Sequence, residues 1–116
     1  MYSVTEAFVS HLLALGYDAY ANVPADPPTE FVTVERTGGS VTDLVDHPSL
    51  AIQCWAATDE AAERLANVVR AQIVTGAHPF GVTRIDVNSG PYRFYDEYTR
   101  CPRYQMALDA TCQLTD

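Results

Sequence analysis

From Arg103 to Leu114 apolar and polar residues alternate without a break. Tyr104, Met106, Leu108, Ala110, Cys112 and Leu114 take one side; Gln105, Ala107, Asp109, Thr111 and Gln113 take the other. A period of two is the period of a strand. The segment therefore demands a sheet with one face against a core and the other wet or against a partner. Two further segments read as strands for related reasons. Phe31–Thr37 is rich in β-branched residues and ends at Gly38-Gly39. Leu50–Ala57 places Leu50, Ile52, Cys54 and Ala56 on one side and Ala51, Gln53, Trp55 and Ala57 on the other. Val82–Asn88 and Tyr92–Thr99 read as two more strands, separated by Ser89-Gly90-Pro91.

Two segments carry the helical period instead. Ser3 and Glu6 have the spacing of a capping box, and Val4, Ala7, Phe8, His11, Leu12 and Leu15 share a side over residues 3–15, with Gly16 as the stop. Thr58 or Asp59 caps the second helix, Glu60–Val74, whose apolar side is Ala62, Leu65, Ala66, Val69 and Ile73. Residues 17–28 form an irregular or short-strand connection, because Pro24, Pro27 and Pro28 forbid a helix. Ser40–His47 is polar and reads as a long, mobile loop between strands. The expected fold class is α+β: a mixed or antiparallel sheet of about four to five strands with both helices packed on one face. The 116 residues make one domain, 1–116, with no room for two.

Composition narrows the function. The formal net charge is -8, and all seven basic residues are Arg. Gripping nucleic acid needs clustered cations, so that class is disfavoured. A protein that lets DNA slide past is not, since negative walls repel phosphates. No apolar run approaches a membrane span, and the N-terminus shows no signal-peptide pattern, so the expected compartment is cytoplasm-like. Cys54, Cys101 and Cys112 lack CxxC spacing and read as reduced thiols. His11, His47 and His78 lie in different elements with no ligand-like pairing. There is no nucleophile elbow and no phosphate-binding loop. Asp96 and Glu97 are adjacent on a strand and point to opposite faces, and Asp59-Glu60 suits a helix start. Neither pair reads as catalytic, so the chain is expected to be no enzyme and to need no cofactor or metal.

The interleaved Tyr92, Arg93, Tyr95, Tyr98, Arg100 and Arg103 carry the composition of protein interfaces. An ordinary two-faced strand is the plainer reading, and base stacking ranks below both given the acidic charge. Trp55 joins the interface set if the helices leave its face uncovered, and the core if they cover it.

Two long stretches complete the pattern. Phe31-Val32-Thr33-Val34-Glu35-Arg36-Thr37-Gly38-Gly39 is followed, after an acidic segment, by Pro48-Ser49-Leu50-Ala51-Ile52-Gln53-Cys54-Trp55-Ala56. The helix from Thr58, the Gly90-Pro91-Tyr92 turn and Pro102–Thr111 come next. This order resembles the tail terminator (tail completion) proteins of long-tailed bacteriophages, of the type encoded in actinobacterial phages and prophages, over nearly the whole chain. The resemblance implies a structural virion protein without cofactor or covalent chemistry. Such proteins form a hexameric ring that caps the tail tube, ends its growth and offers the surface for head joining. The implied partners are further copies of the chain, the tail tube protein and the head–tail connector. DNA passes through the ring without specific binding, and no membrane is involved. The implied location is the virion tail, with assembly in the host cytoplasm. Ser40, Asp43, Asp46 and His47 would then lie on the loop that reaches the lumen or tube, with the two carboxylates forming a negative wall. Changing both to Arg (Asp43→Arg, Asp46→Arg) is expected to spare folding and impair assembly or DNA passage. The alternatives are another connector or head-closure component, or a small ligand-binding or enzymatic α+β domain with a pocket between helix and sheet.

Overall fold

The computed structural model describes residues 2–94 and 101–113. Along the chain run α1 (Val4–Ala14), β1 (Ala19–Tyr20), β2 (Phe31–Thr42), β3 (Val45–Trp55), α2 (Asp59–Thr75), β4 (Val82–Arg93) and β5 (Arg103–Gln113). The five strands form one sheet in the order β1-β2-β3-β5-β4. β1 runs parallel to β2, and every other pairing is antiparallel. The α+β class and the two-helix, five-strand content match the sequence expectation.

Local chemistry sets both helices. The Ser3 hydroxyl accepts from the Glu6 N–H at 3.3 Å, so one donor at the start of α1 is satisfied. The Thr58 hydroxyl does the same for the Ala61 N–H at 3.1 Å, and Asp59 and Glu60 place negative charge in the first turn of α2. Val4, Phe8 and Leu12 of α1, and Ala62, Ala66, Val69 and Ile73 of α2, are buried. They pack on one face of the sheet against Val32, Val34, Leu50, Ile52, Cys54, Met106, Leu108, Ala110 and Cys112. Burying each large aliphatic side chain contributes about 1.5–3 kcal/mol, so this layer holds the fold together. The alanines of α2 let that helix lie close to the strands.

Two sequence expectations give way. Residues 40–47 are not a loop. β2 and β3 continue through them as a hairpin that closes with Thr42 opposite Val45, around a two-residue turn with Asp43 at φ 54. The polar residues misled because the outer half of a hairpin has solvent-facing side chains while its backbone ladder persists. Likewise, Val82–Asn88 and the start of the expected next strand form one strand, β4. Register shifts between Val87 and Ser89 and between Ser89 and Tyr92 absorb the Ser89-Gly90-Pro91 break. β4 is an edge strand, where a proline costs no ladder bond. The expected strand residues 95–99 and Leu114 lie outside the described residues.

Gly39 fixes the hairpin. Its φ is 110, and a Cβ there would sit 2.2 Å from the His47 carbonyl oxygen. Gly39→Ala is therefore expected to destabilise the protein by about 2 kcal/mol, from positive-φ strain plus the forced separation of β2 from β3. Thermal unfolding followed by circular dichroism checks this, with a fall in Tm on the order of 10 °C.

Candidate interaction surfaces

The sheet face away from the helices collects the side chains of alternate strand positions. Phe31, Trp55 and Arg103 stand in one row across β2, β3 and β5, and Thr33, Gln53 and Gln105 in the next. Tyr92 of β4 lies opposite Gln105 and extends the second row. Hydrogen bonds join the rows into a continuous chain. The Trp55 indole donates to Thr33 Oγ1 at 3.0 Å, and the Thr33 hydroxyl donates to Gln53 Oε1 at 2.7 Å. Gln53 Nε2 donates to Gln105 Oε1 at 2.9 Å, and Gln105 Nε2 donates to the Tyr92 oxygen at 2.7 Å. Each amide thus has partners on two neighbouring strands, which orders a polar face that water would otherwise leave mobile.

Aromatic stacking closes one end of this face. Phe31 and Trp55 are nearly coplanar-stacked at 5.4 Å, and Tyr20 meets Phe31 edge-on at 6.1 Å. The Arg103 guanidinium lies 4.7 Å from the Trp55 ring centre and 4.2 Å from that of Phe94, a cation held between two π faces. Beside the stack is an apolar cleft of ≈ 550 Å³, lined by Val23, Pro24, Pro28, Phe31, Trp55 and Pro102 among others. Trp55 is consequently 4% exposed although no helix covers its face. Trp55 is therefore on the helix-free face and is buried there by its neighbours, neither core under the helices nor an open interface residue.

The other expected interface residues divide. Tyr92 is partly exposed on the helix-free face, and Arg103 is held in the stack. Arg93 lies opposite Tyr104, on the helix side, where it pairs with Asp59 at the start of α2 at 3.2 Å. Tyr95, Tyr98 and Arg100 lie outside the described residues, as do Asp96 and Glu97. The residues that sequence reasoning missed are the Thr33–Gln53–Gln105 ladder and the exposed Phe80 and Leu44. Gln53 and Gln105 had a signal, since both alternate with the core-facing residues of their strands, whereas Thr33, which is buried, had none.

The hairpin residues also divide. Ser40 and His47 are exposed cross-strand partners, and Asp43 is exposed in the turn. Asp46 points the other way. It is buried, and its two carboxylate oxygens accept from Arg36 Nη1 at 2.6 Å and Nη2 at 2.8 Å. This bidentate pair corrects the expectation that Asp46 is a loop charge and that the change to Arg at both acids spares folding. An Arg in place of Asp46 would face Arg36 across the hairpin. On the outer face, the Asp109 carboxylate is held below the usual carboxylate range by hydrogen bonds from Asn88 and Ser49.

Among the described residues, no group of three His, Cys, Asp or Glu side chains could hold a metal ion. Likewise no helix among them is long and apolar enough to cross a membrane. Burial pushes the Cys54 thiol up to about 12 and raises that of Cys112, whereas Cys101 is exposed. A thiol reagent at neutral pH is thus expected to modify Cys101 rapidly and the other two only after denaturation. The sign of the linkage is that of an acid whose neutral form is favoured by folding. The contribution of Cys54 is whole below the ordinary thiol range and lost as pH rises toward about 12. Fast modification of all three thiols in the native protein would contradict this assignment. Comparison with models of known protein families gives no match, and neither does comparison with curated proteins.

Proposed function

We propose that this chain is a structural protein that forms a ring, in line with the tail-terminator resemblance: a cap on a phage tail tube that ends tube growth and offers a surface for head joining. The supporting observation is the helix-free sheet face. It is ordered by a side-chain chain from buried Trp55 and Thr33 to Tyr92, and its accessible part, the half-buried Gln53 and Gln105 with the exposed Tyr92, offers amide and phenol groups to a protein partner. The net charge of -8 suits a ring through which DNA slides. In this reading the hairpin turn reaches the lumen or tube, with Asp43 supplying its negative charge. Asp46 instead holds the hairpin to Arg36.

The test is tube-length control. Polymerising tail tubes should stop growing, and become joinable to heads, when this protein is added. Unchanged tube length and no binding to tube ends would reject the proposal. A second reading, a small-ligand-binding domain, is favoured by the apolar cleft of ≈ 550 Å³ beside Trp55. Saturable quenching of Trp55 fluorescence by an apolar ligand at micromolar concentration would favour it.

A further inference from the structure

The sheet ends in two unlike edges. On one side, β1 pairs only with Val32 and Thr33 of β2, so among the described residues β2 has no neighbour on its outer side from Glu35 to Thr42. On the other side, β4 has no outer neighbour among the described residues. Backbone N–H and C=O groups on such edges seek an extended strand. With Thr42 and Val45 closing a two-residue turn, ladder alternation turns the N–H and C=O of Val41 and Gly39 outward.

The two edges match in height, direction and face. Val82 of β4 lies opposite Cys112, Cys112 opposite Asp46, and Asp46 opposite Val41. Val87 is connected in the same way, through Leu108 and Leu50, to Arg36. Residues 82–87 therefore stand at the level of the open half of β2. The irregular half of β4, near Tyr92, stands at the level of Thr33, where β1 already caps β2. Three successive antiparallel pairings make β4 antiparallel to β2, so a copy displaced along the sheet presents β4 in the sense of an ordinary ladder. The faces agree as well. Val41, 57% exposed, lies on the helix side like Val82, Ile85 and Val87, while Ser40 lies on the outer side like Arg84 and Asp86. Gly38 and Gly39 leave the β2 edge without side chains over two residues.

We infer that copies of this chain join edge to edge, residues 35–42 of β2 in one copy pairing antiparallel with residues 82–87 of β4 in the next. The inference rests on the ring reading and names its subunit contact. The contact is head-to-tail, so repetition covers both edges, as a closed ring requires. A two-fold pairing of β2 with β2 would leave β4 uncovered.

Cysteine cross-linking tests it. Ser40→Cys and Arg84→Cys are introduced together in a Cys101→Ser background, all at exposed positions. Opposed strand residues lie within disulfide reach. Mild oxidation of the assembled protein is expected to give a ladder of covalent oligomers, and a mixture of the two single variants only mixed dimers. Hydrogen exchange on the protein without substitutions should show amides at Gly39 and Val41 slowed about 100-fold on assembly. Efficient cross-linking of Ser40→Cys with itself would overturn the inference in favour of two-fold pairing. Assembly without cross-links or amide protection would overturn it and leave the ring reading standing. Failure of the protein to assemble, even on tail tubes, would remove both.

Discussion

Trp55→Ala is expected to lower stability by about 3–5 kcal/mol, the range for removing a buried tryptophan. Trp55 is 4% exposed, and its loss removes the stacking partner of Phe31, one of the two π faces around Arg103 and the donor to Thr33 Oγ1. Trp55→Phe keeps the stack but removes the indole donor, and is expected to cost about 1–2 kcal/mol. Urea denaturation measures both. With an m-value of roughly 1–3 kcal/mol/M, the alanine variant should lose on the order of 2 M in midpoint. Trp55 is the single tryptophan, so circular dichroism must replace fluorescence as the probe. A loss below about 1 kcal/mol for Trp55→Ala would mean that the helix-free face is not a packed surface.

Asp46→Ala is expected to cost about 2–4 kcal/mol. The carboxylate side chain is 6% exposed and that of Arg36 34%, so water only partly compensates the guanidinium left behind. Removing both charges together, with Arg36→Met and Asp46→Leu, should recover most of the loss, because a buried pair replaced by apolar groups is often neutral. The four proteins form a double-mutant cycle by urea denaturation. An Asp46→Ala loss under about 0.5 kcal/mol would place the pair with ordinary surface ion pairs. Asp43→Arg, by contrast, changes an exposed turn and should leave stability within about 0.5 kcal/mol. Any effect of that substitution on particle assembly would then report the surface and not the fold.

The contrast between Asp43 and Asp46 shows what was legible in the sequence. Both acids looked alike there, three residues apart in a polar segment. What separates them is hairpin register: Asp46 lies on the helix side near Arg36, ten positions earlier, and Asp43 is in the turn. That register comes from the Thr42–Val45 closure and from β5 pairing along β3, neither of which is local. The helices were legible because their signals are local, Ser3 and Thr58 as caps and 3.6-residue spacing for the apolar side. β5 was legible because it alternates through its whole length. The continuity of β4 through Ser89-Gly90-Pro91 was not, because it depends on edge position and register shifts against β5. Trp55 fell between these cases. Its alternation gave the correct side of β3, but its burial depends on Phe31, Arg103 and the proline-bearing connection, which no local pattern brings together.

In the proposed function this fold is a ring subunit. Its most direct measurement is the native mass of the purified protein across a concentration and magnesium series, alone and with tail tubes, with negative-stain images of any large species. The expected result is a closed six-fold ring with a DNA-width hole, free in solution or seated on a tube end. A protein that remains monomeric throughout the series and leaves tube ends bare would contradict it.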